Sequence, residues 1–124
     1  MTDRLRIKRI HDPASPEDGQ RVLVDRVWPR GISKETASLS LWLRDIAPST
    51  ALRQWFGHEP VRWDEFRRRY RTELDARGLR DESALATLRG LARQGPLTLL
   101  YGAHDTLHNN AQALAEYLRE TERR

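Results

Sequence analysis

The chain has 124 residues, of which 38% are hydrophobic and 32% charged, and its formal net charge is +4 at pH 7. A chain of this length builds one domain with a real core. The absence of cysteine excludes disulfides, thiolate catalysis and cysteine-ligated zinc, and no segment reaches the roughly 18 apolar residues of a membrane span. We therefore expect a cytoplasmic protein with no membrane partner.

The basic residues are 20 arginines and only two lysines, Lys8 and Lys34. Guanidinium groups suit phosphate and carboxylate recognition, so the bias fits an anion-binding protein. A genome rich in G and C produces the same bias through its codons. We favour the second explanation, because the arginines are spread over the whole chain.

The first part of the chain predicts two strands and a short helical turn. Leu5–Ile10 alternates apolar and basic residues, which is typical of a half-exposed or edge strand. Residues 11–20 hold two prolines and a glycine and predict a loop. Arg21–Asp25 then has the aliphatic run of a strand buried on both faces. Ser33 is placed to cap a helical turn that reaches about Thr36.

The middle of the chain contains one ambiguous segment and two predicted helices. Residues 39–46 fit either a strand or a helix, and the alternation of leucines with other residues slightly favours a strand. Ser49 is a plausible N-cap for a helix that Gly57 ends, and Pro60 suits the first position of the next helix. The core-facing positions of that helix are Trp63, Phe66, Tyr70 and Leu74.

The last part predicts a helix, a buried strand and a final helix. The first helix runs from about Asp81 to Arg93, and Leu97–Tyr101 is the second strand that reads as buried on both faces. Asp105 is the predicted N-cap of the final helix, with His108 in its first turn, and residues 119–124 are expected to fray. The inward residues are Leu85, Leu88 and Ala92 in the first helix and Leu107, Ala111, Leu114 and Leu118 in the last.

Strands that alternate with helices indicate the fold class. We predict an α/β protein: one compact domain over residues 1–124, with a small, at least partly parallel sheet flanked by helices. In such sheets, ligands bind beyond the carboxyl ends of the strands. The segments that follow the two buried strands are therefore the places to look for a site.

The first candidate cluster follows the strand at Arg21–Asp25 and contains Asp25, Arg26, Trp28 and Arg30, held in one shape by a proline and a glycine. Two arginines would bind a phosphate or carboxylate, and Asp25 would act as a general base or orient one of them. The alternative is structural, with Asp25 and Arg26 forming an ion pair while Trp28 packs into the core.

The second cluster follows Leu97–Tyr101 and contains Tyr101, His104, His108 and Asn109. We assign His108 an acid–base role with Asp25, and the other three a role in ligand binding. His104 and His108 are four residues apart, as in helical metal sites, but no glutamate follows His104, so we predict no metal site. No cofactor motif is present, and we predict none.

Two further features have a structural interpretation that we favour. His58 follows a helix-ending glycine, which indicates a contact with the last carbonyls of the helix. The side chains of Arg67–Arg69 point in different directions from their helix, so only part of the run can form one surface. We therefore favour a solvated helix face over a nucleic-acid surface.

Several motifs together resemble a known family. They are D-P-A-S-P-E-D-G at 12–19, R-V-L-V-D-R-V-W-P-R-G at 21–31, L-W-L-R-D-I-A-P-S at 41–49, W-F-G-H at 55–58 and Y-G-A-H-D-T-L-H-N-N at 101–110. Over residues 5–120 the chain resembles the bacterial YeaO-like proteins of domain-of-unknown-function family 488. The resemblance implies a small bacterial α/β domain with no established reaction. Another branch of the superfamily carries C-H-R where this chain has Leu107-His108-Asn109, and only the histidine carries over.

Three functional hypotheses follow. The leading one is a pocket for a small anionic molecule, such as a nucleotide, a modified base or another phosphate or carboxylate ligand, in which Asp–His chemistry is possible. The second is a non-catalytic module that binds nucleic acid or a protein through the Arg-rich helix. The third treats the W-P-R-G loop as a contact between copies of the chain. The sequence leaves the oligomeric state open.

Overall fold

Four parallel strands form the sheet of the computed structural model, which describes residues 5–78 and 83–122. The strand order is β1-β4-β2-β3, and β4 pairs with both β1 and β2, so that Leu99 lies opposite Ile7 on one side and Val22 on the other. The strands are β1 (Leu5–Arg9), β2 (Gln20–Leu23), β3 (Leu41–Trp42) and β4 (Leu97–Tyr101). The α/β prediction is confirmed, and β1 is an edge strand as its alternating residues predicted.

The helices in the described residues are α1 (Lys34–Ala37), α2 (Thr50–Phe56), α3 (Trp63–Arg77), α4 (Ala84–Gln94) and α5 (Asn110–Glu122). Serine hydroxyls cap three of them by accepting a hydrogen bond from a backbone N–H of the first turn. Two of these caps, Ser33 on α1 and Ser49 on α2, confirm the sequence prediction. Ser83 caps α4, and the predicted start of that helix at Asp81 lies outside the described residues.

The core occupies both faces of the sheet, as an all-parallel sheet requires. Val22 and Leu99 point to the larger side, where α2, α3, α4 and α5 bury Phe66 and Tyr70 among their side chains. The smaller side is a cluster around α1. Its buried members are Ile10, Leu23, Ala37 and Leu100, with Trp28, Ile32, Leu39 and Trp42 packed against them.

Three boundaries in the first half differ from the sequence prediction. The strand β2 ends at Leu23, so Asp25 lies in the following loop. Only Leu41–Trp42 of the ambiguous segment is a strand, and Arg44–Ile46 is a 3-10 turn. Pro60 likewise begins a 3-10 turn, and α3 follows it at Trp63, which is only partly buried. Short strands and 3-10 turns carry too few residues to show a clear hydrophobic period.

The start of the last helix was predicted wrongly. The helix α5 begins at Asn110, and the side-chain oxygen of Asn109 caps it by accepting from the N–H of Gln112 at 3.0 Å. Asp105 caps only the preceding turn, so His108 lies before the helix and Leu107 is 68% exposed instead of inward. At the other end, α5 remains helical through Glu122, past the residue at which fraying was expected, and residues 123–124 lie outside the described part.

Candidate functional site: a polar pocket at the carboxyl ends of β2 and β4

The segments that follow β2 and β4 meet in a pocket of about 680 Å³. The parallel pairing of the two strands brings both carboxyl ends to the same edge of the sheet. The predicted residues that line the pocket are Asp25, Arg26, Trp28, Arg30, His104, His108 and Asn109. Tyr101 is not among the lining residues, and it is only 3% exposed. The two candidate clusters are therefore one surface, from which Tyr101 is absent.

The Asp25 carboxylate joins the two strand ends. Its Oδ2 accepts a hydrogen bond from the backbone N–H of Gly102 at 2.9 Å. Burial raises the pKa of Asp25, although the bond from Gly102 and the charge of Arg53 oppose this effect. A Cβ at Gly102 would lie 3.0 Å from Pro29 and 3.2 Å from Oδ2 of Asp25, so these neighbours would have to shift by a few tenths of an ångström to admit a larger residue. A half-buried carboxylate facing open space is a group that a ligand can engage.

The two predicted anion-binding arginines differ in their surroundings. Arg26 donates from Nε to the carbonyl of Pro48 and from Nη2 to that of Ala47, both at 3.3 Å, so part of its hydrogen-bonding capacity holds the pocket wall. Arg30 lies in the loop after Pro29 and is exposed. Arg30 is consequently the more available of the two to an incoming anion.

Trp28 combines both roles that the sequence suggested. Its indole Nε1 donates to the carbonyl of Ile32 at 2.8 Å, and its ring meets that of Trp42 edge-on at 5.3 Å between centroids. These contacts place the ring against the smaller core cluster while the side chain still lines the pocket. Trp28 is therefore a rigid wall of the pocket.

His108 is oriented by a neighbouring carboxylate. Its Nδ1 lies 2.9 Å from Oδ2 of Asp105, and its ring meets Trp63 edge-on at 5.4 Å. Hydrogen bonds from the N–H of Leu107 and from His108 lower the pKa of Asp105. With Nδ1 engaged, the other ring nitrogen remains for a ligand. This arrangement suits either a hydrogen-bonding contact or a proton transfer.

Two asparagines secure the start of α5 beside the pocket. The side-chain nitrogen of Asn109 donates to the carbonyl of Asp105, and its oxygen caps the helix, so its polar atoms are used locally. Asn110 donates from Nδ2 to the carbonyl of Val24 at 2.9 Å, which ties α5 to the end of β2. Asn109 thus fixes the start of α5, and Asn110 holds the two halves of the pocket together.

The pocket also contains residues that the sequence did not assign to it. Arg53, Gln54 and Phe56 come from α2, and His58 follows that helix. With His11, the pocket is lined by all four histidines of the chain. No signal in the sequence links α2 to this edge of the sheet, because only tertiary packing brings the two together. For His58, the sequence showed the residue but suggested a different partner.

The arginine-rich helix α3 is largely occupied by contacts within the protein. It carries five arginines and four acidic residues, and its side chains pair across the helix and with α5. The pairs are Arg67 with Asp64 and Glu116, Arg68 and Arg69 with Glu65, Arg71 with Glu120, and Arg77 with Glu73. A surface that neutralises its own cations is a weak phosphate-binding surface.

The described ranges, 5–78 and 83–122, lack two kinds of feature. No helix there is both long and apolar enough to cross a membrane. Nor do three or more histidine or acidic side chains in those ranges come together where they could hold a metal ion.

An all-parallel sheet flanked by helices, with a pocket at its strand ends, defines an α/β domain. The family model described as "Inactive DUF488-N3 subclade" matches residues 4–124, and the chain belongs to this DUF488 family. The family resemblance noted from the sequence motifs is confirmed.

The curated relatives share the length of this chain as well as its sequence. The uncharacterised protein YeaO of Escherichia coli (strain K12) is 44% identical over 93% of this chain and 96% of its own length. An uncharacterised protein of Mycobacterium tuberculosis (strain ATCC 25618 / H37Rv) is 42% identical over 93% of both chains, as is one from Mycobacterium bovis. No solved structure gives a significant match.

Proposed function

We propose that this pocket binds a small molecule that carries a phosphate or carboxylate group, and that it does so without chemical turnover. The observation that supports the proposal is the composition of one surface: three arginines and all four histidines of the chain line it, against two carboxylates. Hydrogen-bond donors at this density are characteristic of anion recognition.

The size and walls of the pocket narrow the class of ligand. A volume of about 680 Å³ falls in the range of small-molecule sites, and it accommodates a ligand up to the size of a nucleotide or modified base. The apolar part of the lining includes Trp28, Phe56 and Phe66. Aromatic walls beside cationic groups suit a ligand that has a flat ring and an anionic group.

The absence of turnover is supported by two observations. The matching family model is described as inactive, and this chain has no cysteine, whereas the other branch noted from the resemblance carries C-H-R where this chain has Leu107-His108-Asn109. In this proposal Asp25 and His108, which we predicted as acid–base residues, serve as polar contacts for the ligand.

A binding screen with matched variants tests the proposal. The ligands are inorganic phosphate, nucleoside monophosphates, nucleobases and simple carboxylates, and the readout is the Tm of the wild type, Arg30→Ala and Arg68→Ala. We expect an anionic ligand to raise the Tm of the wild type and of Arg68→Ala, because Arg68 lies on α3, away from the pocket, and to raise that of Arg30→Ala much less. Absence of any shift in the wild type would contradict the proposal.

Binding of an oligonucleotide to matched variants distinguishes the pocket hypothesis from the nucleic-acid hypothesis. If α3 were a nucleic-acid surface, the chain would bind an oligonucleotide with an affinity that falls steeply with salt. The triple variant Arg67→Ala, Arg68→Ala and Arg71→Ala would lose that binding, while Arg30→Ala would keep it. The proposal of a small-molecule pocket predicts the reverse dependence on Arg30.

A further inference from the structure

The backbone after α2 adopts an unusual conformation at two successive residues. Gly57 has φ 51° and His58 has φ 59°, both in the left-handed region. Glycine adopts this conformation freely, but in a residue with a Cβ it is unfavourable. In the described part of the chain, Ser38 is the other non-glycine residue with a positive φ, and it ends the exposed turn of α1. The strain at His58 therefore requires an explanation.

The end of α2 does not need a second left-handed residue. Gly57 already completes the helix by donating its N–H to the carbonyl of Arg53. The side chain of His58 is exposed, so burial of the ring offers little compensation for the strain. Neither helix termination nor core packing accounts for the conformation.

The conformation does place the imidazole in the pocket. His58 lines the pocket beside Phe56, with 6.4 Å between the ring centroids, and among the described residues its ring donates to none of the helix carbonyls, contrary to our expectation from the sequence. Arg53, one turn earlier, lines the same wall. Strained residues of this kind cluster at functional sites, where the strain is retained because it positions a group.

The charged groups around His58 are mostly basic. The other charged and titratable side chains of the pocket are Asp25, Asp105, Arg26, Arg30, Arg53, His11, His104 and His108. The charges of Arg53 and His58 favour the ionised form of Asp25. The carboxylate of Asp105 is already hydrogen-bonded to His108. An imidazole donates an N–H in either protonation state, so His58 can bind an anion at neutral pH.

We propose that His58 is a ligand-binding residue that contacts the anionic group together with Arg53, and that its strained backbone is kept for this contact. This inference rests on the proposed function and extends it by naming the residues that hold the anion on the α2 side of the pocket. A residue that binds ligand at the expense of stability has a recognisable signature, because stability and affinity change in opposite directions when it is replaced.

The test uses the full chain and inorganic phosphate as the probe. His58→Gly relieves the strain and removes the ring, so we expect the Tm without phosphate to rise by roughly 2–5 °C. The affinity for phosphate, measured by isothermal titration calorimetry, should fall about tenfold or more, the size of one lost charge-assisted hydrogen bond. His58→Asn, which tolerates the left-handed conformation and keeps an N–H donor, should lie between glycine and the wild type.

Ser38→Gly is the matched control, since it removes the other positive-φ residue and lies outside the pocket. It should raise the Tm without changing the affinity for phosphate. Equal affinity in His58→Gly and the wild type would overturn this inference alone, as would a fall in Tm, which would show that the ring is structural. If the wild type itself fails to bind phosphate or any other anion in the screen, the proposed function fails, and this inference fails with it.

Discussion

Two aspartates flank the strand β2, and the protein treats them in opposite ways. Asp18 precedes the strand and is 3% exposed, yet hydrogen bonds from Ser15, Lys8 and Arg21 satisfy its carboxylate. Burial would raise the pKa of Asp18, but these partners outweigh it and hold the pKa at about 2. At the other end of the strand, burial prevails and raises the pKa of Asp25.

The difference lies in what surrounds each carboxylate. Arg21 also donates to the carbonyl of Ala37, so the charges beside Asp18 form a network of hydrogen bonds within the protein. Asp25 accepts from the N–H of Gly102, has Asn110, Arg53 and His58 as further favourable neighbours, and lines the pocket. The carboxylate before the strand is held within an ion-paired network, whereas the carboxylate after it borders a cavity. The comparison separates a structural carboxylate from a candidate binding one.

The largest expected effect on stability is at the Asp18 end of β2. Asp18→Ala leaves the guanidinium of Arg21, which is 4% exposed, and the ammonium of Lys8 without their carboxylate. Breaking a buried ion pair by removing one partner costs about 3–5 kcal/mol, and we expect the free energy of unfolding to fall by that amount. Denaturation by urea measures it. Glu65→Gln, which breaks the pairs with Arg68 and Arg69 on the surface of α3, should leave the urea midpoint nearly unchanged.

The contribution of Asp18 to the free energy of unfolding should also be lost in acid. Because the pKa of Asp18 is about 2 in the folded state and 3.8 unperturbed, its contribution is complete above pH 4 and is lost as the pH falls towards 2. We expect a loss of roughly 2 kcal/mol over that interval. Unfolding measured as a function of pH should show this slope in the wild type and a shallower one in Asp18→Asn. Equal slopes would show that another carboxyl group dominates.

At the Asp25 end of β2, the close contacts of Gly102 predict an intermediate effect on stability. Gly102→Ala brings a Cβ against Pro29 and the carboxylate of Asp25, and overpacking of this kind costs about 1–3 kcal/mol. It should also weaken anion binding, because Asp25 has to move. Gly90→Ala is the control: its new Cβ meets nothing within 4 Å in α4, and it should stabilise the protein by about 0.5–1 kcal/mol. A stabilised Gly102→Ala variant would contradict this expectation and show that Pro29 and Asp25 move aside for the new methyl group.

The smallest effect is at Asp25 itself, and its sign is opposite to that at Asp18. A raised folded-state pKa means that the protonated form is favoured, so the wild type loses stability as the pH rises through that pKa. Asp25→Asn removes this cost while its side-chain oxygen still accepts from Gly102. We expect a modest gain in Tm at pH 7 that disappears below about pH 4. A loss of stability at pH 7 would show that the charged carboxylate is structural.

The elements with strong local signals were predicted from the sequence. Leu97–Tyr101 matches β4 residue for residue, and the serine caps at Ser33 and Ser49 were found from a single side chain each. In these cases the physical cause, a hydrophobic run or a hydroxyl that accepts from a nearby N–H, is contained within a few residues. Such elements can therefore be predicted without knowledge of the tertiary structure.

The wrong predictions depend on contacts that a local sequence pattern does not reveal. Leu107 fits the apolar stripe of α5, but the helix starts later, because Asn109 caps it and Asp105 caps a separate turn. Tyr101 ends a strand that is covered on both faces, so its side chain is buried, and Gly102 after it borders the pocket. The part of the pocket that follows the ends of the strands was predicted. The contribution of α2 was missed, because packing places that helix there.

The order of the strands also determines when the fold can form during synthesis. The strand β4 is the central partner of β1 and β2, yet it follows them by most of the length of the chain. As the ribosome releases the chain from its amino end, β1 emerges without its partner β4, and β2 has only the two-residue strand β3 to pair with. Contacts this distant in sequence slow folding, and they leave the edges of β1 and β2 unpaired in the meantime. In this topology β1 therefore waits longest for its partner, independent of what the finished pocket binds.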